Sequence, residues 1–225
     1  MSRPVREIRI ATEQGSVTGL LHLPPAAHTL LVLAHGAGAG MRHRFFETIV
    51  PLMADRGVAT LRYQFPYMEA GRKRPDAPPV AQATVRAAVV TAAGLAPELP
   101  LLAGGKSFGG RMTSAAQSVT PLDGVRGLVF LGFPLHAAGR PGTSRADHLD
   151  RVAIPMLFLQ GTRDALADLP SIRAVTDRLG TRAVLHVIDG ADHSFAVLKR
   201  SGRTNESVRA ELVSVIAGWS AKAGP

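Results

Sequence analysis

The chain has 225 residues, 46% of them hydrophobic, which is enough for a full core and too apolar for a disordered chain. It has no cysteine, which excludes a disulfide framework and a thiolate nucleophile. The formal charge of +9 comes almost wholly from arginine, since lysine stands only at Lys73, Lys106, Lys199 and Lys222. The arginines are scattered rather than massed, which reads as a solvated surface and argues against a nucleic-acid partner.

Residues Met1–Val5 carry no apolar leader and no stretch is long enough to span a bilayer, so a cytoplasmic protein with no membrane partner is expected. Val5–Thr12 and Val17–Leu23 are β-branched runs around Glu13-Gln14-Gly15, the pattern of a hairpin. Thr29–Ala34 (TLLVLA) is almost continuously apolar, as a strand buried on both faces should be. The glycine-rich loop HGAGAGMRH follows, then a helix with Phe45, Phe46, Ile49, Leu52 and Met53 on one side. Val58–Tyr63 is the next strand. QFPYMEAGRKRPDAPP, too rich in proline and charge for a regular element, reads as an ordered surface loop.

Val80–Leu95 has helical spacing, Leu99–Ala103 is a short apolar strand, and Met112–Val119 is again helical. Gly127–Leu131, Met156–Gln160 and Ala183–Ile188 complete the strands. Ser171–Leu179 lies between the last two, and a final helix carries Val208, Leu212, Val215, Ile216 and Trp219. Strands alternating with helices after a hairpin predict a single α/β domain over residues 1–225. Its sheet is mostly parallel and twisted, with an N-terminal antiparallel hairpin and helices on both faces.

The chemistry concentrates at AGGKSFGGR. A phosphate-binding loop needs glycine five positions before Gly105, where Pro100 stands, and Leu101 and Leu102 occupy what should be flexible backbone. The alternative, G-x-S-x-G at Gly105-Lys106-Ser107-Phe108-Gly109, is met in full: a strand enters a tight turn and a helix leaves it. Lys106 is then the variable residue of the turn, lodged in a local ion pair. A serine hydroxyl needs a base and an acid that orients the base. Asp164 follows the strand PMLFLQG and His193 follows AVLHVI, each at a strand's carboxyl end and in the chain order that such an elbow requires. Asp168 is the alternative acid, and Asp164 could instead cap the helix after it. Asp189 and Asp192 are too close to His193 in sequence to face the same ring nitrogen. His186 reads as structural, and His22, His28, His43, His136 and His148 have no matching context.

An oxyanion would require two backbone N–H groups. Phe108, after the serine, supplies one. The loop His35-Gly36-Ala37-Gly38-Ala39-Gly40 supplies the other, with Ala37 the first choice and Gly38 the next. His35 and Tyr67 are expected on the substrate side. Glu69, Arg72 and Asp76 either join Tyr67 there or form an internal salt-bridge network that stiffens the 64–79 loop, the network being favoured.

With these motifs in place the chain resembles the α/β-hydrolase superfamily over essentially its whole length. HGAGAGMRH, FPYMEAGRKRPD, GGKSFGGRM, LGFPLHAAGRP, PMLFLQGTRD and GADHSF are together similar to a small dienelactone-hydrolase-like branch. That branch is similar to a group of predicted hydrolases, and the resemblance also reaches a subunit of a eukaryotic chromatin complex. Dienelactone hydrolases proper use a cysteine where Ser107 stands, so lactone specificity is not implied. The resemblance implies a serine hydrolase, a carboxylesterase-type enzyme on a small acyl substrate, with no metal and no organic cofactor. It also keeps a non-catalytic scaffold as the alternative class. Thioesterase, peptidase and acyltransferase chemistry would use the same residues. Gly132–Pro155 is too short for a large lid, which predicts an open site for small or exposed acyl groups.

Overall fold

The computed structural model describes residues 5–222, so most of the Met1–Val5 stretch read as leaderless lies outside the described residues. Strands β1 (Arg6–Thr12) and β2 (Gly15–His22) form the antiparallel hairpin, with Thr12 paired to Gly15 at its turn. β2 also runs antiparallel to β4 (Val58–Tyr63). From there the sheet is parallel through β3 (Thr29–Ala34), β5 (Leu101–Lys106), β6 (Val125–Leu131), β7 (Met156–Gly161) and β8 (Ala183–Ile188). The eight-stranded order is β1-β2-β4-β3-β5-β6-β7-β8.

Every residue of β3, β4 and β7 is buried, which suits the nearly continuous apolar runs of β3 and β7, while in β4 the buried Arg62 pairs with Glu47. Side chains alternate between the two faces of a strand, so Leu30, Val32 and Ala34 enter one core and Leu31 and Leu33 the other. The first core is covered by α3 (Pro78–Leu95), α4 (Phe108–Val119) and α5 (Leu169–Leu179). The second is covered by α1 (Arg44–Ala54) and α6 (Asn205–Ser220). Each helix brings a stripe of apolar residues; α1 presents Phe45, Phe46, Ile49, Val50 and Met53. Leu52, expected in that stripe, is instead 37% exposed at its edge, and Val50 takes its place.

Several boundaries differ from expectation, among them the start of β6 at Val125 rather than Gly127 and of α4 at Phe108 rather than Met112, and two have a plain cause. β5 begins at Leu101 rather than Leu99, because Pro100 has no N–H to give the ladder and contributes only its carbonyl, accepting from Leu30 N. The proline-rich stretch before α3 is not wholly irregular: α2 (Pro66–Glu69) makes one short turn with Pro66 at its start, and α3 opens on Pro78. Gly132–Pro155 contains a single 3-10 helix, Ser144–Arg151, and no lid-sized insertion. In register, Ala34 pairs with Gly105, Lys106 with Leu131 and Gly161 with Ile188. The carboxyl ends of β3, β5, β6, β7 and β8 are therefore level, and the loops leaving them meet over one edge of the sheet.

Candidate active site

Ser107 joins β5 to α4 with φ 51° and ψ −115°, a backbone region that costs a non-glycine residue ~1–3 kcal/mol. The surroundings hold it there: its N–H donates to Leu131 O at 3.2 Å, and Arg111 N donates to Ser107 O at 3.1 Å. Two glycines make the turn possible. A Cβ at Gly105 would stand 2.3 Å from Ala34 O, and one at Gly109 would stand 2.5 Å from the same oxygen. Strand and helix can close on β3 only without those side chains.

The structure brings Ser107, His193 and Asp164 together. His193 Nε2 is 2.9 Å from Ser107 Oγ, and His193 Nδ1 is 2.7 Å from Asp164 Oδ2. The Asp164 side chain is fully buried, and His193 is partly open to the cleft. A carboxylate so enclosed needs hydrogen-bond donors in place of water. Leu166 N donates to Oδ1 at 2.8 Å, and Gln160 Nε2 donates to Oδ2 at 2.6 Å. Gln160 is itself fixed by Phe133 N, which donates to its Oε1 at 3.0 Å. No sequence pattern singled out Gln160. Its signal was a lone polar side chain in an otherwise apolar buried strand.

The other carboxylates are occupied elsewhere. Asp168 accepts from Ser171 N at 2.9 Å as the N-cap of α5, the task that Asp164 might have had, so it is not placed as the alternative acid. Asp192 accepts from Ser194 N and Ala196 N at 2.8 and 3.0 Å, bracing the loop that carries His193. His186, within β8, bonds Glu211 of α6 at 2.8 Å.

Lys106 differs from its expected ion pair. Among the described residues no carboxylate forms a salt bridge with it. Its Nζ donates to His193 O at 2.6 Å and sits 5.2 and 5.1 Å from the ring centres of Phe45 and Phe195. Burial pushes its pKa down to about 8, with Asp164 and Asp192 opposing the shift. The variable residue of the elbow therefore ties the serine turn directly to the histidine loop.

Of the oxyanion donors, the N–H groups of Phe108 and Ala37 donate to no other described residue, whereas Gly38 N donates to Tyr67 Oη at 3.0 Å. Gly38 is thus engaged by a side chain and withdrawn from the role expected of it. Neither Tyr67 nor His35 lies on the substrate side, because both are fully buried. The His35 ring accepts from Phe65 N at Nε2 (3.1 Å) and donates from Nδ1 to Gly36 O (2.8 Å), a neutral tautomer. Burial lowers its pKa to about 4, which keeps it so. These residues hold the glycine-rich loop from beneath. Sequence reasoning placed them beside the right loop and on the wrong side of it.

The 64–79 segment divides its work. Glu69 bonds Arg9 at 2.6 Å and Thr18 N at 3.0 Å, and Asp76 bonds Arg72 and Tyr67 N, both at 2.9 Å, so the internal network exists. Yet Arg74, Pro75 and Asp76 also border a cleft of about 750 Å³ that opens at Ser107. Ala37, Phe108, Arg111, Pro134 and Arg145 line the rest of its wall.

A strained serine at the carboxyl edge of a mostly parallel sheet, with an acid and a histidine on later strands, defines an α/β-hydrolase fold. Residues 27–221 match the family model described as Alpha/beta hydrolase domain, and the chain belongs to that family. Among solved structures it is similar to a dienelactone hydrolase from Anabaena variabilis, with a TM-score of 0.77, 18% identity and 99% of each chain covered. It is also similar to an α/β serine hydrolase homologue from Coxiella burnetii, with a TM-score of 0.75, 18% identity, and 96% of this chain and 98% of that one covered. A third likeness is to a lidless α/β serine hydrolase from Xanthomonas campestris, with a TM-score of 0.74, 19% identity and 97% of each chain covered. No helix among the described residues is long and apolar enough to cross a membrane.

Proposed function

We propose that this hydrolase is a serine carboxylesterase acting on small or exposed acyl groups. The observation that carries the reading is the unbroken hydrogen-bond chain from Ser107 through His193 to buried Asp164, at an elbow that opens into a cleft. In it, Ser107 Oγ attacks the ester carbonyl while His193 Nε2 takes the hydroxyl proton, and the C–O bond to serine forms. Asp164 fixes the ring with Nδ1–H toward itself and balances the imidazolium. The Phe108 and Ala37 N–H groups receive the developing oxyanion, and loss of one such donor typically costs ~100- to 1,000-fold in kcat.

As the tetrahedral intermediate collapses, the bond to the leaving alcohol breaks and His193 hands that oxygen its proton. Water then gives a proton to His193 and adds to the acyl carbon; as this second intermediate collapses, the bond to Ser107 Oγ breaks, His193 returns the proton to that oxygen and the acid leaves. The scheme calls for neither metal nor organic cofactor. The lidless wall around the cleft supports short or exposed acyl chains over long buried ones. The dienelactone-hydrolase-like motifs and the dienelactone-hydrolase and serine-hydrolase neighbours agree in direction. Thioesters would pass through the same steps. A scaffold would have no use for a strained serine backed by a buried carboxylate.

A fluorophosphonate probe tests the assignment. The wild type is expected to be labelled once, at Ser107, and Ser107→Ala not at all. Equal labelling of the two, together with p-nitrophenyl acetate hydrolysis that survives Ser107→Ala, would sink it.

A further inference from the structure

The cleft beside Ser107 has a charge that the ester chemistry does not use. Arg74, Arg111 and Arg145 all border it, and among the described residues none of them forms a salt bridge with a carboxylate. Asp76 is the acid on that wall, and both its oxygens are taken, one by Arg72 and one by Tyr67 N. Arg145 spends one N–H on His136 O at 2.9 Å, which orients it without neutralising it. Arg111 has no protein acceptor for its guanidinium among the described residues. Its Nε is shielded from water and makes no hydrogen bond.

A buried unsatisfied donor is costly, and a second guanidinium nearby makes it costlier. Burial and then the charge of Arg145 both lower the pKa of Arg111, so the two cations feel each other across the cleft. Arg111 stands four residues after Ser107 in the first turn of α4, donating its backbone N–H to Ser107 O, and both residues border the cleft. Positive groups held together without a counter-ion, one turn from a nucleophile, form a receptor for an anion attached to the substrate.

Resting on the esterase reading, we propose that the substrates are anionic: esters whose acyl portion ends in a carboxylate, held by Arg111 and Arg145, with Arg74 at the cleft's exposed rim. The carboxylate would supply the acceptor that Arg111 lacks. The scissile carbonyl would then lie a few bonds away, against the Phe108 and Ala37 N–H groups. The scattered positive charge of the surface becomes, at this one place, a specificity element.

The test compares the p-nitrophenyl ester of glutaric acid, which has a free carboxylate, with its neutral methyl-capped counterpart. In the wild type the charged ester is expected to have the higher kcat/KM by about 10- to 100-fold, the size of one or two charge-assisted hydrogen bonds. That ratio should fall toward one in Arg111→Gln and in Arg145→Gln, with folding checked by circular dichroism. Binding of monomethyl glutarate against methyl valerate, followed by calorimetry, is measured in parallel and needs no turnover. If no ester is hydrolysed yet monomethyl glutarate binds and Arg111→Gln abolishes it, the esterase reading falls and the anion site stands. A charged-to-neutral ratio near one in the wild type, a ratio unmoved by both substitutions, or the absence of any preference for the anion in calorimetry would overturn the proposal.

Discussion

Ser107 and Ser114 lie a few residues apart on the same strand–helix unit, and each hydroxyl meets a histidine. Ser107 Oγ is 2.9 Å from His193 Nε2, and Ser114 Oγ is 2.8 Å from His148 Nε2. Distance does not separate them; everything around them does. Ser107 sits in a strained turn at the mouth of a cleft, whereas Ser114 is fully buried within α4 and also bonds Arg111 O at 3.0 Å. His193 has Asp164 behind it, ready to balance a positive ring. His148 has none: burial and the nearby Arg111 and Arg151 drive its pKa down to about 4, with only Asp147 opposing them. A base must be able to hold a proton once it has taken one. The comparison teaches that the third residue and the charge environment, more than the serine–histidine contact, separate a chemical relay from a structural hydrogen bond.

The sharpest way to break this contrast is at the serines themselves. Ser107→Ala should cut ester turnover by on the order of 10⁴–10⁶ and abolish fluorophosphonate labelling, measured with p-nitrophenyl acetate. Parallel loss in Ser114→Ala would mean that the wrong pair has been named. Asp164→Asn comes next, at ~10⁴ in kcat with the fold retained, because an amide cannot hold His193 in the required tautomer or offset its charge.

A smaller effect is expected at Lys106. Its ammonium fastens the His193 carbonyl between two phenyl faces, so Lys106→Met should let the histidine loop drift without touching the nucleophile. Misplacement of the base on this scale lowers kcat by about 10- to 100-fold. KM should stay within about twofold, and that split distinguishes a positioning lysine from one that binds substrate.

How much of this was legible beforehand depended on whether the cause was local. TLLVLA was readable to the residue because a strand buried on both faces shows no polar interruption after its first position, and VATLRY was readable at the same bounds although Thr60 and Arg62 lie within it. Ser107, Asp164 and His193 were readable as candidates because each follows a strand, and chain order fixes which strand ends face one another. His35, Tyr67 and Gly38 were misplaced for the opposite reason. A polar residue beside a glycine-rich loop looks the same in sequence whether it faces substrate or supports the loop from below, and only burial distinguishes the two. Gln160 showed only as a lone polar residue in an apolar strand, which does not say what it bonds, and the lysine tie and the arginine cluster left no signal. Those two bring distant segments together, Lys106 to the His193 carbonyl and Arg111 near Arg145, and no periodicity encodes such a meeting. The salt-bridge network of the 64–79 loop was guessed in kind but not in its partners: Arg9 and Thr18 come from the hairpin.

The weakest expected signal in catalysis comes from Ser114, and it is the most informative about stability. Ser114→Ala should leave kcat/KM within about twofold of wild type, yet cost ~1–3 kcal/mol in denaturant unfolding, because His148 Nε2 loses its buried partner. The histidine also writes a pH dependence. Burial and the neighbouring arginines hold its pKa at about 4 in the folded protein against 6.5 for a free imidazole, so between those limits the unfolded chain binds more protons. Stability therefore rises with pH across that window: it is fully present above about 6.5 and lost as the pH falls toward 4. His35, also driven to about 4 by burial, adds a dependence of the same sign. Replacing His148 with glutamine should accordingly make the acid limb of the unfolding free energy shallower without flattening it, since His35 remains. An acid limb equally steep in that variant would show that His148 titrates alike in both states, and the contrast with His193 would then rest on Asp164 alone.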